Sequence, residues 1–429
     1  MREMKDSGFS WLGFIPDNWD IKKVKHCFYR KNKKAMQNDP VILSLARSGV
    51  KVRDISNNEG QMAESYFNYN PVDIDDLLLN PMDLYSGANC SISKVKGVIS
   101  PAYVNLRALD GINPVFFDYY FKVQYWLMAF FSYGKGVSFD NRWTLNAETL
   151  MNYPVIVPSY AEQRKIADYL DDKCSKIDAI IAKQEKIIEK IKLYKSSLIM
   201  ELVLGGLHAD IHMKDSGYDF IGAVPSTWSV MRLRNIGTLQ NGISKGGEFF
   251  GQGFPFVSYG DVYRNFKLPE SVPGLVDSTE EEREKYSVRE GDIFFTRTSE
   301  TIEEVGFSCV CEKTIADATF AGFLIRVRPK NDILYTGYAK YYFRSNHLRE
   351  YLVKEMNLVT RASLGQDLLK SMPVLIPPKE EQIEIANYLD QKCESIDKQV
   401  ARREQLISKL TEYKKSLIYE CVTGKKEII

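Results

Sequence analysis

The sequence contains an internal repeat, in which the same motifs occur twice in the same order. Residues 4–19 open with Met-Lys-Asp-Ser-Gly and close at Trp19 after a Gly and a Pro, and residues 213–228 repeat this order and close at Trp228. A second matching pair, at 162–199 and 381–418, opens each time with Glu-Gln. The stretches between them, roughly residues 20 to 141 and 229 to 360, agree poorly. The chain must therefore fold as two copies of one plan, with constant frames around two different inserts.

Length sets the domain count. A chain of 429 residues exceeds what one hydrophobic core usually supports, so we expect two or three domains. Residues 1–10 carry charges and no apolar stretch, which argues against a signal peptide. The most apolar run, 115–133, is interrupted by Asp118, Lys122 and Gln124 and does not predict a membrane span. A cytoplasmic protein is the expectation.

The cysteines and histidines do not predict a metal site. The seven cysteines are scattered without a C-x-x-C pair, so buried, reduced thiols are expected. His208 and His212 have ligand-like spacing, but they follow Gly205 and Gly206, where a helix should already have ended. We expect no metal and no cofactor.

Each second constant segment predicts a long helix, because apolar residues recur with a seven-residue period and the helix is predicted to stop at Gly205 or Gly424. In the first helix we assign heptad position a to Leu170, Ile177, Ile191 and Leu198, and position d to Ile180, Ile187 and Tyr194. In the second helix position a is assigned to Leu389, Ile396, Leu410 and Leu417, and position d to Leu406 and Tyr413. The two helices are predicted to pair within the chain, antiparallel, with the inserts at opposite ends and a pseudo-twofold axis between the copies.

Polar residues interrupt the predicted seams, at Lys173, Gln184, Lys392, Gln399 and Arg403. Two interpretations stay open. Either these positions drift toward solvent, or Gln184 faces Arg403 or other polar groups and fixes the pairing register.

The inserts have the pattern of α/β modules. Short β-rich runs are predicted at 41–45, 76–79, 254–259 and 292–296, and aromatic-rich helices at 116–132 and 338–352. The predicted fold class is therefore α/β: two α/β domains separated by two long antiparallel helices, with a pseudo-twofold internal repeat. The predicted boundaries are 1–157 and 209–376 for the two domains, each with its frame, and 158–208 and 377–429 for the helices.

These motifs, taken together, resemble the DNA specificity subunit of type I restriction-modification systems. The resemblance rests on G-x-x-P-x-x-W at 13–19 and 222–228, on P-x-x-x-E-Q-x-x-I-A ending at Ala167 and Ala386, and on strands leading into loops at 79–83 and 291–297. It covers essentially the whole chain. It implies two target recognition domains, each reading one half of a split, asymmetric double-stranded DNA site, on conserved helices that carry two modification subunits.

The resemblance further implies a subunit that performs no chemistry. The modification subunits would methylate adenine, and restriction subunits would join through the complex to cleave foreign DNA. Two alternatives remain open: a stand-alone DNA amino-methyltransferase and a coiled-coil scaffold without DNA readout. The first rests on Asn80-Pro81-Met82-Asp83, but an aromatic residue to stack the flipped base is missing, no G-x-G turn follows an early strand, and no phosphate loop is found.

Charge is distributed unevenly, although the formal net charge is only +1. The segment 22–53 is rich in Lys and Arg, and Asp39 is its single acidic residue, so phosphate contact is at least as reasonable as a solvated face. In the second insert the stretch 280–284 is strongly acidic, with four glutamates and one arginine. A DNA-binding surface there would have to lie around Lys245, Arg264, Arg297 and Arg361, with the acidic stretch turned away.

Base reading requires side chains that present paired donors or acceptors. For each candidate an ordinary loop or core hydrogen bond is about as reasonable, and the matching positions of Arg142 and Arg361 suit phosphate clamping or bracing better than readout. The candidate DNA-binding residues are Lys22, Lys31, Lys33, Arg47, Lys51, Arg53, Asn80, Tyr85, Asn89 and Arg142 in the first insert, and Lys245, Tyr259, Arg264, Thr296, Arg297, Thr298, Ser299 and Arg361 in the second.

Overall fold

The chain forms two compact units. The computed structural model describes residues 2–54, 63, 65–82, 84, 89–136, 143–208, 211–299, 302–355 and 362–428. Unit 1 comprises residues 1–184 and 404–429, and unit 2 comprises residues 185–403. The boundaries cut through both long helices, so each helix contributes one part to each unit. The finer division into four segments stays a prediction.

Unit 1 contains short strands, three short helices and one turn of 3₁₀ helix at Val24–His26. The strands are β1 (Met4–Asp6), β2 (Phe14–Pro16), β3 (Asp20–Lys23), β4 (Phe28–Arg30), β5 (Leu43–Ala46), β6 (Gly49–Val52), β7 (Asn70–Val72), β8 (Leu77–Leu79), β9 (Cys90–Ile92), β10 (Gly97–Ile99), β11 (Val104–Ala108) and β12 (Pro154–Val157). The helices are α1 (Pro114–Trp126), α2 (Ala129–Ser132), α3 (Ala147–Asn152) and the first part of α4 (Tyr160–Gly205).

Unit 2 repeats this order with additions, including 3₁₀ turns at Gly247–Phe249 and Ile302–Glu304. The strands are β13 (Met213–Asp215), β14 (Ala223–Pro225), β15 (Ser229–Arg232), β16 (Gly237–Asn241), β17 (Phe250–Val257), β18 (Leu275–Val276), β19 (Ile293–Thr296), β20 (Thr298–Ser299), β21 (Ser308–Val310), β22 (Thr319–Phe320), β23 (Leu324–Pro329), β24 (Ala362–Ser363) and β25 (Pro373–Ile376). The helices are α5 (Leu233–Ile236), α6 (Tyr259–Arg264), α7 (Glu280–Lys285), α8 (Thr336–Tyr342), α9 (Asn346–Glu355), α10 (Gln366–Ser371) and α11 (Lys379–Val422), which ends in unit 1.

Both units are built on an antiparallel sheet of the same topology. Its strand order is β4-β11-β8-β9 in unit 1 and β16-β23-β19-β21 in unit 2. The register also agrees, because Leu79 pairs with Val104 and Phe295 pairs with Ile325. The predicted α/β class with an internal repeat is confirmed. Each unit has further strands over a second hydrophobic cluster, namely β5-β6 and β10-β7 in unit 1 and the sheet β18-β17-β22 in unit 2.

The predicted aromatic helices are each divided in two. The segment 116–132 forms α1 and α2, because Met128 between them adopts a left-handed backbone with φ of 57°. Asn113 starts α1 by accepting the amides of Val115 and Phe116. The segment 338–352 forms α8 and the start of α9, separated at residues 343–345, where Arg344 donates to the carbonyl of Ser308 at 2.8 Å.

The long helices are present, but their seam differs from the prediction. The a positions Leu170 and Leu389 are fully buried, whereas Tyr194 and Tyr413, predicted at d, are 59% and 56% exposed. The second inward row is instead at position e, one residue later. Its members are Cys174, Ile181, Ile188, Lys195 and Leu202 on α4, and Cys393, Val400, Ile407, Lys414 and Cys421 on α11.

Polar residues join the helical parts within each unit. Lys195 donates to both oxygens of Asp397 at 2.7 Å in unit 2, and Lys414 does the same with Asp178 in unit 1 at 2.7 and 2.6 Å. Gln184 and Arg403 lie half-buried on the inward stripe, whereas Lys173, Lys392 and Gln399 are exposed. Polar residues therefore occur at the inward stripe of both helices, and the direct pairing of Gln184 with Arg403 stays a prediction.

The repeated Trp and Glu-Gln residues meet in each unit. The buried indole of Trp19 donates from Nε1 to Glu162 Oε2 at 2.9 Å, and Trp228 donates to Glu381 Oε2 at the same distance. Each contact ties the N-terminal frame of a unit to the first turn of a long helix. The sequence separation is large, so the constant segments are held together by tertiary contact.

The glutamine beside each of these carboxylates binds backbone. Gln163 donates to the carbonyl of Pro158 at 2.8 Å and accepts the amide of Asn113 at 2.8 Å. Gln382 donates to the carbonyl of Pro377 at 2.9 Å and accepts the amide of Tyr335 at 2.7 Å. Asn113 and Tyr335 directly precede α1 and α8. The two glutamines therefore fix the position at which α1 and α8 begin.

All seven cysteines are free and buried, as predicted. Burial raises the pKa of Cys27 to about 11 and the pKa values of Cys311 and Cys421 to about 12. Among the described residues, no group of His, Cys, Asp and Glu is arranged to hold a metal ion. In the same residues, no helix is both long and apolar enough to cross a membrane.

We expect the seven thiols to resist alkylation in the folded protein. Iodoacetamide reacts with the thiolate, which burial disfavours, so mass spectrometry after treatment at mildly alkaline pH should find the native chain unmodified. The same treatment in urea is the control and should modify all seven. Rapid modification of a cysteine in the native chain would contradict its burial.

The indole-to-carboxylate bonds should contribute unequally to stability. Trp228→Phe removes the donor from Glu381, whose other oxygen is buried without a hydrogen bond, so we expect a loss of about 1–3 kcal/mol. Trp19→Phe should lose less, because Glu162 keeps its ion pair with Arg2. Urea unfolding followed by far-ultraviolet circular dichroism measures both losses, and equal losses would show that the second partner is unimportant.

Candidate nucleic-acid interface

In unit 2, the strand β19 ends among polar loops, and we call this region the second polar edge (residues 241–242, 296–298, 322–324 and 363–366). Arg297 is at its centre: its amide donates to the carbonyl of Phe323 at 2.8 Å, and its carbonyl accepts the amide of Leu364 at 2.7 Å. The side chain of Gln366 donates to Asn241 Oδ1 at 2.9 Å. Four separate segments are thereby tied together at one end of the sheet.

Two candidate residues, Thr296 at this edge and Tyr259 at the start of α6, have internal roles. Tyr259 donates its hydroxyl to the carbonyl of Glu304 at 2.6 Å, and the buried Thr296 donates to the same carbonyl at 3.0 Å. Thr296 Oγ1 also accepts the amide of Phe307 at 2.9 Å. Both hydroxyls therefore brace the 3₁₀ turn at 302–304, and DNA contact by Tyr259 or Thr296 stays a prediction that these bonds do not favour.

Arg297, Thr298 and Arg264 are the candidates that face outward. Arg264 is exposed at the end of α6, and Arg297 and Thr298 are half-buried. Thr298 Oγ1 lies 3.3 Å from Ser363 Oγ, so a pair of hydroxyls belongs to the same edge. A guanidinium can present several hydrogen-bond donors to a base edge.

Lys245 is engaged with the acidic helix α7. Its ammonium lies 2.7 Å from Glu282, donates to the carbonyl of Asp277 at 2.6 Å, and lies over the ring of Phe249. The hydrogen bond from Lys245 lowers the pKa of Glu282 below its usual value. These contacts do not favour Lys245 as a DNA contact, because its charge neutralises the acidic segment, and its assignment to DNA stays a prediction.

In unit 1, the first polar edge (residues 80–82, 89 and 145) follows β8. Asn80 is buried, and its Oδ1 accepts the amide of Met82 at 3.0 Å. This hydrogen bond is typical of a turn residue and leaves the side chain little exposed for contact with bases. The carbonyl of Pro81 accepts the amide of Leu145 at 2.8 Å, at the place where Arg297 accepts Leu364 in unit 2. Asn89 remains half-buried beside this turn, and its Oδ1 has no hydrogen-bond partner.

At the opposite end of β8 and of β19, where each strand begins, a buried carboxylate pairs with an arginine of the neighbouring strand. Asp76 lies 2.6 Å from Arg107 and 2.7 Å from Lys31, and Asp292 lies 2.6 Å from Arg328. Burial lowers the pKa of Lys31, but its hydrogen bonds and its charge pairing with the two neighbouring aspartates outweigh burial and raise the pKa overall. Lys31 is thus part of the scaffold, and its assignment to DNA stays a prediction that these contacts do not favour.

The other basic candidates of unit 1 lie on the surface. The hairpin β5–β6 carries Arg47 at its turn and Lys51 on its second strand, both exposed. Arg53 follows that strand and is half-buried, Lys33 is exposed, and Lys22 lies 3.7 Å from Asp20. The hairpin is therefore a surface on which positive charge could meet phosphates.

Some candidates lie outside the described residues, namely Tyr85, Arg142 and Arg361. Of Ser299 only the main chain is described, in β20. Sequence reasoning did not select Phe323, Asn241 or Gln366, although all three belong to the second polar edge. No local pattern distinguishes them, because they come together only where separate segments meet.

Comparison with known proteins agrees with this architecture. Residues 225–409 match the type I restriction modification DNA specificity domain. The chain is 28% identical to the type I restriction enzyme EcoKI specificity subunit of Escherichia coli K12 over 61% of its own length and 56% of that subunit. It is 22% identical to the EcoBI specificity subunit of Escherichia coli over 96% and 87% of the two chains. The match thus spans little more than half of the first relative.

Solved structures share the fold. A chain from a type I R-M system, solved in work on complex assembly and conformational transition, superposes with a TM-score of 0.72 at 16% identity, covering 96% of this chain and 99% of that one. The HsdS subunit of Thermoanaerobacter tengcongensis superposes with a TM-score of 0.52 at 16% identity, covering 96% and 98%. At this identity the superpositions support the fold alone.

Proposed function

We propose that this chain, which belongs to the family of type I restriction-modification DNA specificity subunits, recognises a bipartite, asymmetric DNA site of which each unit reads one half. The observation that supports this most is the pair of polar edges. Both follow the equivalent strand of the same sheet, which begins at an equivalent buried ion pair, yet one presents Met82 where the other presents Thr298. A shared scaffold with different edges suits two different half-sites.

Phosphate contacts would position each unit on the duplex, and the edges would read bases. In unit 1 we assign the phosphate contacts to the exposed hairpin residues Arg47 and Lys51, with Lys33. In unit 2 we assign them to Arg264. Arg297 and Thr298 are the proposed base readers, because their side chains border the surface on a backbone that is fixed on both sides.

We infer that two modification subunits dock against the long helices. The residues first predicted at heptad position d form an apolar outer stripe on each helix, with Ile180 and Tyr194 on α4 and Leu406 and Tyr413 on α11 exposed. Exposed apolar side chains at helical spacing favour the docking of further helices. The partner subunits would supply adenine methylation, and restriction subunits would join the same complex in the cytoplasm.

The proposal is tested by exchanging one insert. Replacing residues 20–155 by the corresponding region of another family member should change one half of the recognised sequence and leave the other half unchanged. Methylation-site mapping in cells that also express the modification subunits reads out both halves. A change in both halves, or in neither, would contradict independent reading, and methyl transfer by the purified chain alone would show that it is itself an enzyme.

Arg297→Ala should weaken binding selectively. If the guanidinium makes paired hydrogen bonds to a guanine, its loss costs about 1–3 kcal/mol against the correct base and relaxes discrimination at that position. The matched control is Arg264→Ala, which should weaken all duplexes about equally and reduce the salt dependence, because a phosphate contact carries no base information. Titration of the complex with duplexes varied one base pair at a time distinguishes the two patterns.

A further inference from the structure

Phe323 is an exposed aromatic residue at the second polar edge. Its side chain is 60% exposed, whereas the next residue, Leu324, is fully buried. Phe323 occupies the turn between β22 and β23, directly beside Arg297. No aromatic contact or cation–π contact of the described residues involves its ring, so the ring is not part of the core.

The backbone under this ring is held firmly. The carbonyl of Phe323 accepts the amide of Arg297 at 2.8 Å, and Leu324 donates to the carbonyl of Ala321 at 2.9 Å. Gly322 and Gly242 pack closely against facing segments. A Cβ at Gly322 would lie 2.3 Å from Ser244 Oγ, and a Cβ at Gly242 would lie 2.1 Å from the carbonyl oxygen of Phe320. A ring presented on a fixed turn loses little conformational freedom when it binds a partner.

The other residues of the second polar edge indicate what the ring meets. Arg297, Thr298, Ser363, Asn241 and Gln366 are side-chain types that form hydrogen bonds with base edges in the major groove. Phe323 is the exposed apolar member of this polar set. Among the groups that a base pair presents in the major groove, the C5 methyl of thymine is the apolar one.

We propose that Phe323 contacts the C5 methyl group of a thymine in the half-site read by unit 2. This rests on the proposed function. The group that Phe323 recognises is a methyl group on duplex DNA. The contact therefore favours thymine over cytosine at one base pair, beside the position that Arg297 reads. Burial of one methyl group against the ring corresponds to about a fourfold change in affinity.

The experiment removes that methyl group without touching a hydrogen bond. Once insert exchange has identified the half-site of unit 2, each of its thymines is replaced singly by deoxyuridine, and the affinity of the complex with its modification subunits is measured. The wild-type complex should bind about fourfold more weakly at one position. The Phe323→Ala complex should bind the thymine and deoxyuridine duplexes equally at that position.

Two further variants serve as controls. Phe323→Leu keeps an apolar side chain and should retain part of the discrimination. Phe14→Ala removes a ring of similar exposure, 61%, from unit 1 and should leave the discrimination intact. Circular dichroism spectra like those of the wild type confirm that each variant is folded.

The outcomes are distinct. A half-site without thymine, equal binding of all deoxyuridine duplexes by the wild-type complex, or discrimination that persists in Phe323→Ala each overturns the thymine contact and leaves the proposed function standing. Weakening by Phe323→Ala that is independent of thymine also overturns it, and indicates a wedge between bases or a protein contact. A wild-type complex without any sequence-specific binding overturns the proposed function together with the contact.

Discussion

The fold depends on the contact between a frame tryptophan and the glutamate at the start of a long helix. Trp19 is fully buried and bonds to Glu162, and the adjacent Gln163 holds the amide of Asn113, which itself caps α1. The frame, the helix of the insert and the long helix therefore meet at two consecutive residues. Because this junction does not use the strands' outer ends, those ends can vary without loss of the fold.

Variation is greatest where the two units would read DNA. Both sheets contain a buried aspartate–arginine pair, but the strands beside them differ: unit 1 has β5-β6 and β10-β7, and unit 2 has β18-β17-β22. Its acidic helix is compensated locally, since Glu282 pairs with Lys245. The low net charge is thus compatible with DNA binding, because acidic side chains are paired within the unit while Arg264 remains exposed.

The periodicity of the long helices predicted one of their two buried rows and missed the other. The seven-residue period and position a are correct, as the buried Leu170 and Leu389 show, but the partner row lies at e. The apolar ring of Tyr194 suggested that this residue faces the partner helix, and the charge of Lys195 suggested that it does not. In the structure Lys195 faces the partner helix and binds Asp397. Hydrophobicity alone cannot reveal an ion pair between helices, because its partner is some two hundred residues away in sequence. The exposed tyrosines are instead available to a further protein.

The sequence by itself determined the duplication, the α/β class, the long helices and the buried thiols, because these follow from local pattern, spacing and composition. It also brought Arg297 to attention, since the strand before it is strongly patterned. Only the tertiary structure decided which polar residues are free to act. Lys31, Lys245 and Thr296 are satisfied internally, while Phe323 emerges at the surface beside Arg297. The physical reason is that exposure and hydrogen-bond satisfaction depend on partners brought together by folding, and a single chain position does not encode them.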